Sequence, residues 1–229
     1  MLLAGVNELS ANCLLQKEFF NNKFTQRAQK ECMIAIIDYE AGNIASVKNA
    51  LSRFGVDFIL TNDTDELDKA DGIIFPGQGH FGTAMQALKR SGVEQWLLET
   101  TKPVLGICVG MQLLFEGSAE SDEKGLGIIP GRLKHFDKKE VKVPHMGWNT
   151  LQLERSHALI DNFCDNSHFY FIHSFYAPIN DYTVSSCTYQ EKFSAVVVKD
   201  NYFGVQFHPE KSGREGALLI QNFMQHLVL

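Results

Sequence analysis

Residues 103–112 read Pro103-Val104-Leu105-Gly106-Ile107-Cys108-Val109-Gly110-Met111-Gln112. An apolar run of strand length meets Gly-x-Cys-x-Gly, and a helical pattern follows at once. This is a strand–turn–helix elbow of the kind that displays a nucleophile, with cysteine in place of serine. The glycines permit a tight turn, and a helix start behind the thiol favours its thiolate form. A free cysteine is usually a small buried core residue, so the elbow has to be weighed with the rest of the chain.

Working outward, 33–38, 56–60, 72–75 and 103–107 are short apolar runs typical of strands buried on both faces. Ile44, Val47, Ala50, Leu51 and Phe54 recur at helical spacing between a cap at Asn43 and a stop at Gly55. Further helices are expected over 81–90 and 93–99, and over 110–115 behind the elbow. Beyond it the chain predicts short strands at 132–136, 142–144, 150–153, 169–173, 183–189, 195–199 and 204–207, then a closing helix over 215–227. The acidic runs 63–68 and 120–123 read as solvated surface. Parallel βα units, a strand-rich half and a last helix describe an α/β sandwich: a central, mostly parallel sheet with added antiparallel strands. Residues 1–32, rich in Asn, Gln and Lys, read as an N-terminal extension to a single domain over 33–229.

The chain of 229 residues holds 27 acidic and 21 basic side chains, a net charge of -6. That balance lacks the footprint of a nucleic-acid binder, and no apolar run reaches the ~18 residues of a membrane helix. The cysteines Cys13, Cys32, Cys108, Cys164 and Cys187 are odd in number and form no CxxC pair. They argue against a disulfide framework or structural zinc and for a reducing, cytoplasmic setting. The N-terminus lacks the features of a signal peptide. His135, His157, His168 and His226 have no partners that suggest a metal.

Two further segments complete the elbow. In Gln206-Phe207-His208-Pro209-Glu210, His208 and Glu210 are two apart and project to one side of an extended backbone, which makes a Cys-His-Glu triad with Cys108. In Phe75-Pro76-Gly77-Gln78-Gly79-His80-Phe81-Gly82 the glycines spell G-x-G-x-x-G. The turn follows the third strand rather than the first, and no acidic residue closes a strand ~20 residues on, so a dinucleotide fingerprint is rejected. Such a loop suits backbone N–H groups aimed at an oxyanion near Cys108.

These residues resemble the class I glutamine amidotransferases. Asp38-Tyr39-x-x-Gly42-Asn43, Gly125-Leu126-Gly127, Pro144-His145-Met146-Gly147-Trp148-Asn149 and His173-Ser174-Phe175 narrow the resemblance, over 33–229, to the glutaminase subunits of imidazole glycerol phosphate synthase. It implies a flavodoxin-like sandwich that hydrolyses L-glutamine through a γ-glutamyl thioester, with Cys108 as nucleophile, His208 as proton carrier and Glu210 as its orienter. It further implies oxyanion donors at Gly77, Gly79 and Val109, glutamine contacts from Gln112, His173, Ser174 and Phe175, and no metal or organic cofactor. The implied partner is a (β/α)8-barrel cyclase subunit in a heterodimer, docked on Pro144, His145, Met146, Gly147, Trp148 and Asn149. The chain departs from the family pattern at Glu40, Gln78, His80 and Val109; Gln78 and His80 bear on the resting shape of the glycine loop. A paralogous subunit feeding ammonia to a sugar-amidinating synthase, a stand-alone cysteine hydrolase and a non-catalytic module are the alternatives.

Overall fold

The computed structural model describes residues 32–40, 44–53, 55–163, 167–225 and 227. Nearly all of the extension, the Asn43 cap, Phe54, Cys13, Cys164 and His226 lie outside them. Strand and helix alternate through the first half: β1 (Met33–Ile37), α1 (Ile44–Arg53), β2 (Asp57–Thr61), α2 (Thr64–Lys69), β3 (Gly72–Phe75), α3 (Phe81–Ser91), α4 (Val93–Glu99), β4 (Val104–Ile107) and α5 (Val109–Leu113). Then come β5 (Phe115–Ser118), β6 (Ser121–Lys124), β7 (Ile129–His135), β8 (His145–Thr150), β9 (Gln152–Leu153), β10 (His168–His173), β11 (Phe175–Tyr176), β12 (Thr183–Thr188), β13 (Lys192–Lys199), β14 (Tyr202–Val205) and α6 (Gly213–Gln225).

The central sheet has the order β2-β1-β3-β4-β14-β13-β12-β9. It is parallel from β2 to β14 and antiparallel beyond. β3, β4 and β14 are buried at every position, as strands covered by helices on both faces must be. The order in which strands are added to the sheet reverses between β1 and β3, which opens a crevice at the carboxyl ends of the strands. Tyr39, the 76–80 loop and Cys108 all stand at those ends.

The acidic side chains of the run 63–68 are exposed, as expected, and they also start a helix: Asp63 accepts the N–H of Asp65, and Asp65 and Glu66 sit in the first turn of α2, where acidic groups are favoured. Three sequence expectations are corrected. The helix behind the elbow stops at Leu113, because Phe115 opens β5 and joins β7. The run 120–123 falls largely in β6, whose residues alternate between half-buried and exposed. No strand forms over 142–144, since Pro144 has no N–H to donate; the ladder begins at His145 and runs to Thr150 against β10.

The elbow is built by close approach. A Cβ on Gly110 would lie 2.0 Å from the Phe75 carbonyl oxygen, and one on Gly77 would lie 2.3 Å from the Gly110 nitrogen. The turns after β3 and β4 therefore touch backbone to backbone. Replacing Gly110→Ala forces them apart, and the overpacking is expected to destabilise the fold by about 1–3 kcal/mol. Urea unfolding should show a lower midpoint with an unchanged slope; an unshifted midpoint would show that the turns part freely.

Candidate active site

Cys108 has φ 53° and ψ -109°. A non-glycine residue in that region is strained and persists only when its surroundings hold it. Here its N–H donates to the Val205 carbonyl at 2.8 Å, and its own carbonyl accepts the Gln112 N–H at 3.0 Å. The side chain is nearly buried, with Sγ 3.8 Å from the Ile172 carbonyl and 3.8 Å from Gln206 Nε2. It faces a cavity of about 710 Å3 that is also lined by Gln78, Gly79, Val109, Gln112, Ser174, Phe175 and His208.

His208 and Glu210 meet, though by a different route from the one expected. β14 ends at Val205, and Pro209–Lys211 form a single 3-10 turn. The turn carries the Glu210 carboxylate back to the ring, Oε1 to Nδ1 at 2.8 Å, with both side chains buried. Ser212 Oγ donates to the His208 carbonyl at 2.7 Å and pins the turn. Burial opposes charge on this imidazole, yet its hydrogen bonds and charge interactions with Cys108 and Glu210 outweigh burial and raise its pKa well above the usual range. Oε2 of Glu210 is buried without a hydrogen-bond partner among the described residues, so its charge is answered through His208.

Five expected site residues are placed differently. Gly77 does not line the cavity; its lack of a side chain is used in the contact with Gly110. His173 reaches the cavity wall, but both ring nitrogens are engaged, Nδ1 with the Phe175 carbonyl at 2.8 Å and Nε2 with His145 at 2.9 Å. It has no ring nitrogen left for a ligand. His145 is buried, so it is no surface contact, whereas Met146 and Trp148 on the same strand are each 56% exposed. Asn149 turns its amide inward to the Thr188 carbonyl, and Pro144 lines the cavity.

Sequence reasoning missed several members. The Tyr39 hydroxyl, fully buried, donates to the Pro76 carbonyl at 2.6 Å and anchors the loop ahead of Gly77; its place directly after β1 was the available signal. Gln206 accepts from Gln112 at 3.1 Å and supports the thiol. His80 caps α3 through Nδ1, which accepts the Gly82 N–H, so this departure serves the helix rather than the loop. Glu120, fixed by the Phe81 N–H at 2.7 Å, lines the cavity with Arg90. Together they give its wall both signs of charge; nothing in the acidic run distinguished Glu120 from its neighbours.

Cys108 and His208 thus line one ligand-sized cavity, and the Glu210 carboxylate holds the His208 ring. The glutamine amidotransferase class-I family matches residues 35–227. Over 194 residues the chain is 45% identical to the imidazole glycerol phosphate synthase subunit HisH of Bacteroides fragilis (strain YCH46), covering 84% of this chain and 98% of that one. It is 44% identical over 193 residues to subunit HisH 2 of Legionella pneumophila (strain Paris), covering 84% and 97%. The solved structure of PurLQS from Thermotoga maritima, at 21% identity, superposes with a TM-score of 0.67 over 86% of this chain and 99% of that one; this likeness speaks for the fold alone. A family match over most of its length, on the sheet order and elbow described above, places this chain in the class-I glutamine amidotransferase family.

Proposed function

We propose that the chain is the glutaminase subunit of an imidazole glycerol phosphate synthase, releasing ammonia from L-glutamine for a cyclase partner in histidine biosynthesis. The observation that carries the chemistry is the strained Cys108 set in one cavity with a His208 that Glu210 holds at 2.8 Å. The substrate and pathway come from the HisH relatives.

His208 takes the thiol proton of Cys108, which leaves an imidazolium beside the attacking sulfur. Cys108 Sγ adds to the amide carbon of glutamine, and the carbonyl electrons move onto oxygen. Backbone N–H groups of Val109 and of the Gln78–Gly79 loop are the donors for that oxyanion. The His208 imidazolium gives its proton to the departing nitrogen, the C–N bond breaks, and ammonia leaves a γ-glutamyl thioester. His208, now neutral, takes a proton from water; the hydroxide adds to the thioester, and collapse expels the thiolate with glutamate. Glu210 holds Nδ1–H throughout, so Nε2 is the atom that exchanges protons. Glutamine brings an ammonium and a carboxylate of its own, which Glu120 and Arg90 in the cavity wall suit.

The partner is a (β/α)8-barrel cyclase subunit, and its docking site is the β8 ribbon. Among the described residues β8 pairs with β10 alone. Met146 and Trp148, two apart on one face, expose the large apolar surface that interface anchors supply. The chain works in the cytoplasm, where reduced cysteine persists.

Cys108→Ala should abolish glutamine-dependent product formation in the reconstituted complex and leave the reaction with ammonium salts intact; loss of both would make Cys108 structural. His208→Asn should lower the glutaminase rate by roughly 10²–10⁴-fold. Glu210→Gln should cost less, because an orienter supplies geometry and tautomer while the base supplies the proton step. Equal losses would assign the roles differently. The lone chain should hydrolyse glutamine about a hundredfold more slowly than the complex loaded with nucleotide substrate, if one oxyanion donor of ~3 kcal/mol is turned away at rest. Gly79, at φ 88°, gives the loop its freedom to turn. Full activity of the lone chain would refute the switch.

A further inference from the structure

A continuous set of hydrogen bonds, exposed at its outer end and buried between the two histidines and at the thiol, runs from the β8 ribbon to Cys108, and every proton in its first half can be placed. The Thr150 N–H donates to Asn149 Oδ1 at 2.8 Å, which fixes the amide. Asn149 Nδ2 therefore points at the Thr188 carbonyl, 3.0 Å, and at His145 Nε2, 3.2 Å. Because Nδ2 only donates, His145 Nε2 accepts and its proton sits on Nδ1. That Nδ1–H faces His173 Nε2 at 2.9 Å, so His173 in turn carries its proton on Nδ1 and gives it to the Phe175 carbonyl at 2.8 Å. No other assignment of a neutral pair leaves each contact with one donor and one acceptor.

From the Phe175 carbonyl the set continues to the catalytic residue. Gln112 Nε2 donates to this same carbonyl and to Gln206 Oε1, both at 3.1 Å, and Gln206 Nε2 reaches Cys108 Sγ at 3.8 Å. The surroundings hold both rings neutral. Burial lowers the His145 pKa to about 4. Burial, with opposition from the Phe175 carbonyl and help from His145 and His208, lowers that of His173 to about 3. His145 stacks on Tyr189 at 4.1 Å and on Phe171 at 5.0 Å, so its ring cannot turn without unstacking. The two histidines are directly opposed in the β8–β10 ladder.

We infer that His145 and His173 are positioning residues of the glutaminase reaction: two imidazoles, each locked as its Nδ1–H tautomer, that tie the placement of the β8 ribbon to the Phe175 carbonyl and, through Gln112 and Gln206, to the Cys108 thiol. The inference rests on Cys108 as nucleophile. It makes the ribbon that docks the partner and the segment that walls the cavity one hydrogen-bonded unit. A shift of β8 by a fraction of an ångström reaches the thiol's supports without any motion of the sheet that carries it.

The test compares His145→Asn with His145→Gln in the complex of the full chain with its cyclase partner. Asparagine places an amide N–H where the ring has Nδ1, on the first carbon beyond Cβ; glutamine places its amide one carbon further out. His145→Asn should keep the glutaminase kcat within about threefold. His145→Gln should lower it about tenfold or more, with KM for glutamine and the ammonium-dependent rate unchanged. Equal effects of the two variants, or a loss confined to KM, would overturn the relay. Nitrogen-15 spectra of the wild-type histidines give an independent reading that no misfolded variant can spoil. Both rings should show Nδ1–H, whereas the free neutral side chain prefers Nε2–H, and an Nε2–H signal from either overturns the inference. Glutaminase activity surviving in Cys108→Ala would instead remove the site reading beneath it.

Discussion

Two backbone turns have to touch. The loop after β3 and the elbow after β4 meet at Gly77 and Gly110 with no room for a methyl group between them. This contact sets where Cys108 stands, because the helix that follows it can start only where the Phe75 carbonyl allows. It also places the 76–79 loop over the first turn of α5, within reach of any oxyanion formed at the thiol. The positive φ of Cys108 is the local cost of the arrangement. It is held by a ladder bond to β14 and by the first helical bond of α5.

Buried histidines a short distance apart are driven in opposite directions, and the cause lies in what each ring nitrogen faces. His208 has a carboxylate on one side and the thiol on the other, so its charged form is favoured despite burial. His173 has a carbonyl and a second neutral imidazole, and the charge on His208 nearby disfavours another. One ring is thereby favoured charged and the pair beside it neutral. Placing the carboxylate on a turn two residues beyond His208 makes that difference with little sequence.

Much of the fold was legible because buried parallel strands write themselves as apolar runs: 72–75 matches β3 residue for residue, and 103–107 and 33–38 each overrun by one. The helices at 81–90 and 93–99 showed for the same reason, through spacing that needs no knowledge of the partner surface. The errors fall where polar residues dominate. α2 is held by caps and charge at its ends, and β6 by pairing with β5, neither of which leaves an apolar period. Cys108, His208 and Glu210 could be picked out as a candidate set because a thiol at an elbow and an imidazole two residues from a carboxylate stand out by residue type. The structure brings His208 and Glu210 to 2.8 Å. Glu120, Tyr39 and Gln206 could not be picked out, since a glutamate, a tyrosine and a glutamine act here only through where the sheet sets them down. His145 and His173 were visible as residues, but their burial and the hydrogen bond between them are properties of the ladder and not of the letters.

One of the two neighbours of β4 in the sheet is β14, and Cys108 and Gln206 are 98 residues apart in the chain. Strand pairings of such long range form late, since the loop they close must be ordered first. During synthesis the elbow emerges from the ribosome well before the His208 turn exists. A chain at that stage has Cys108 but no His208 beside it, and no β14 carbonyl to hold its strained backbone. Assembly of the cavity is thus timed by topology: it comes with the closure of the sheet, when nearly the whole domain has been made.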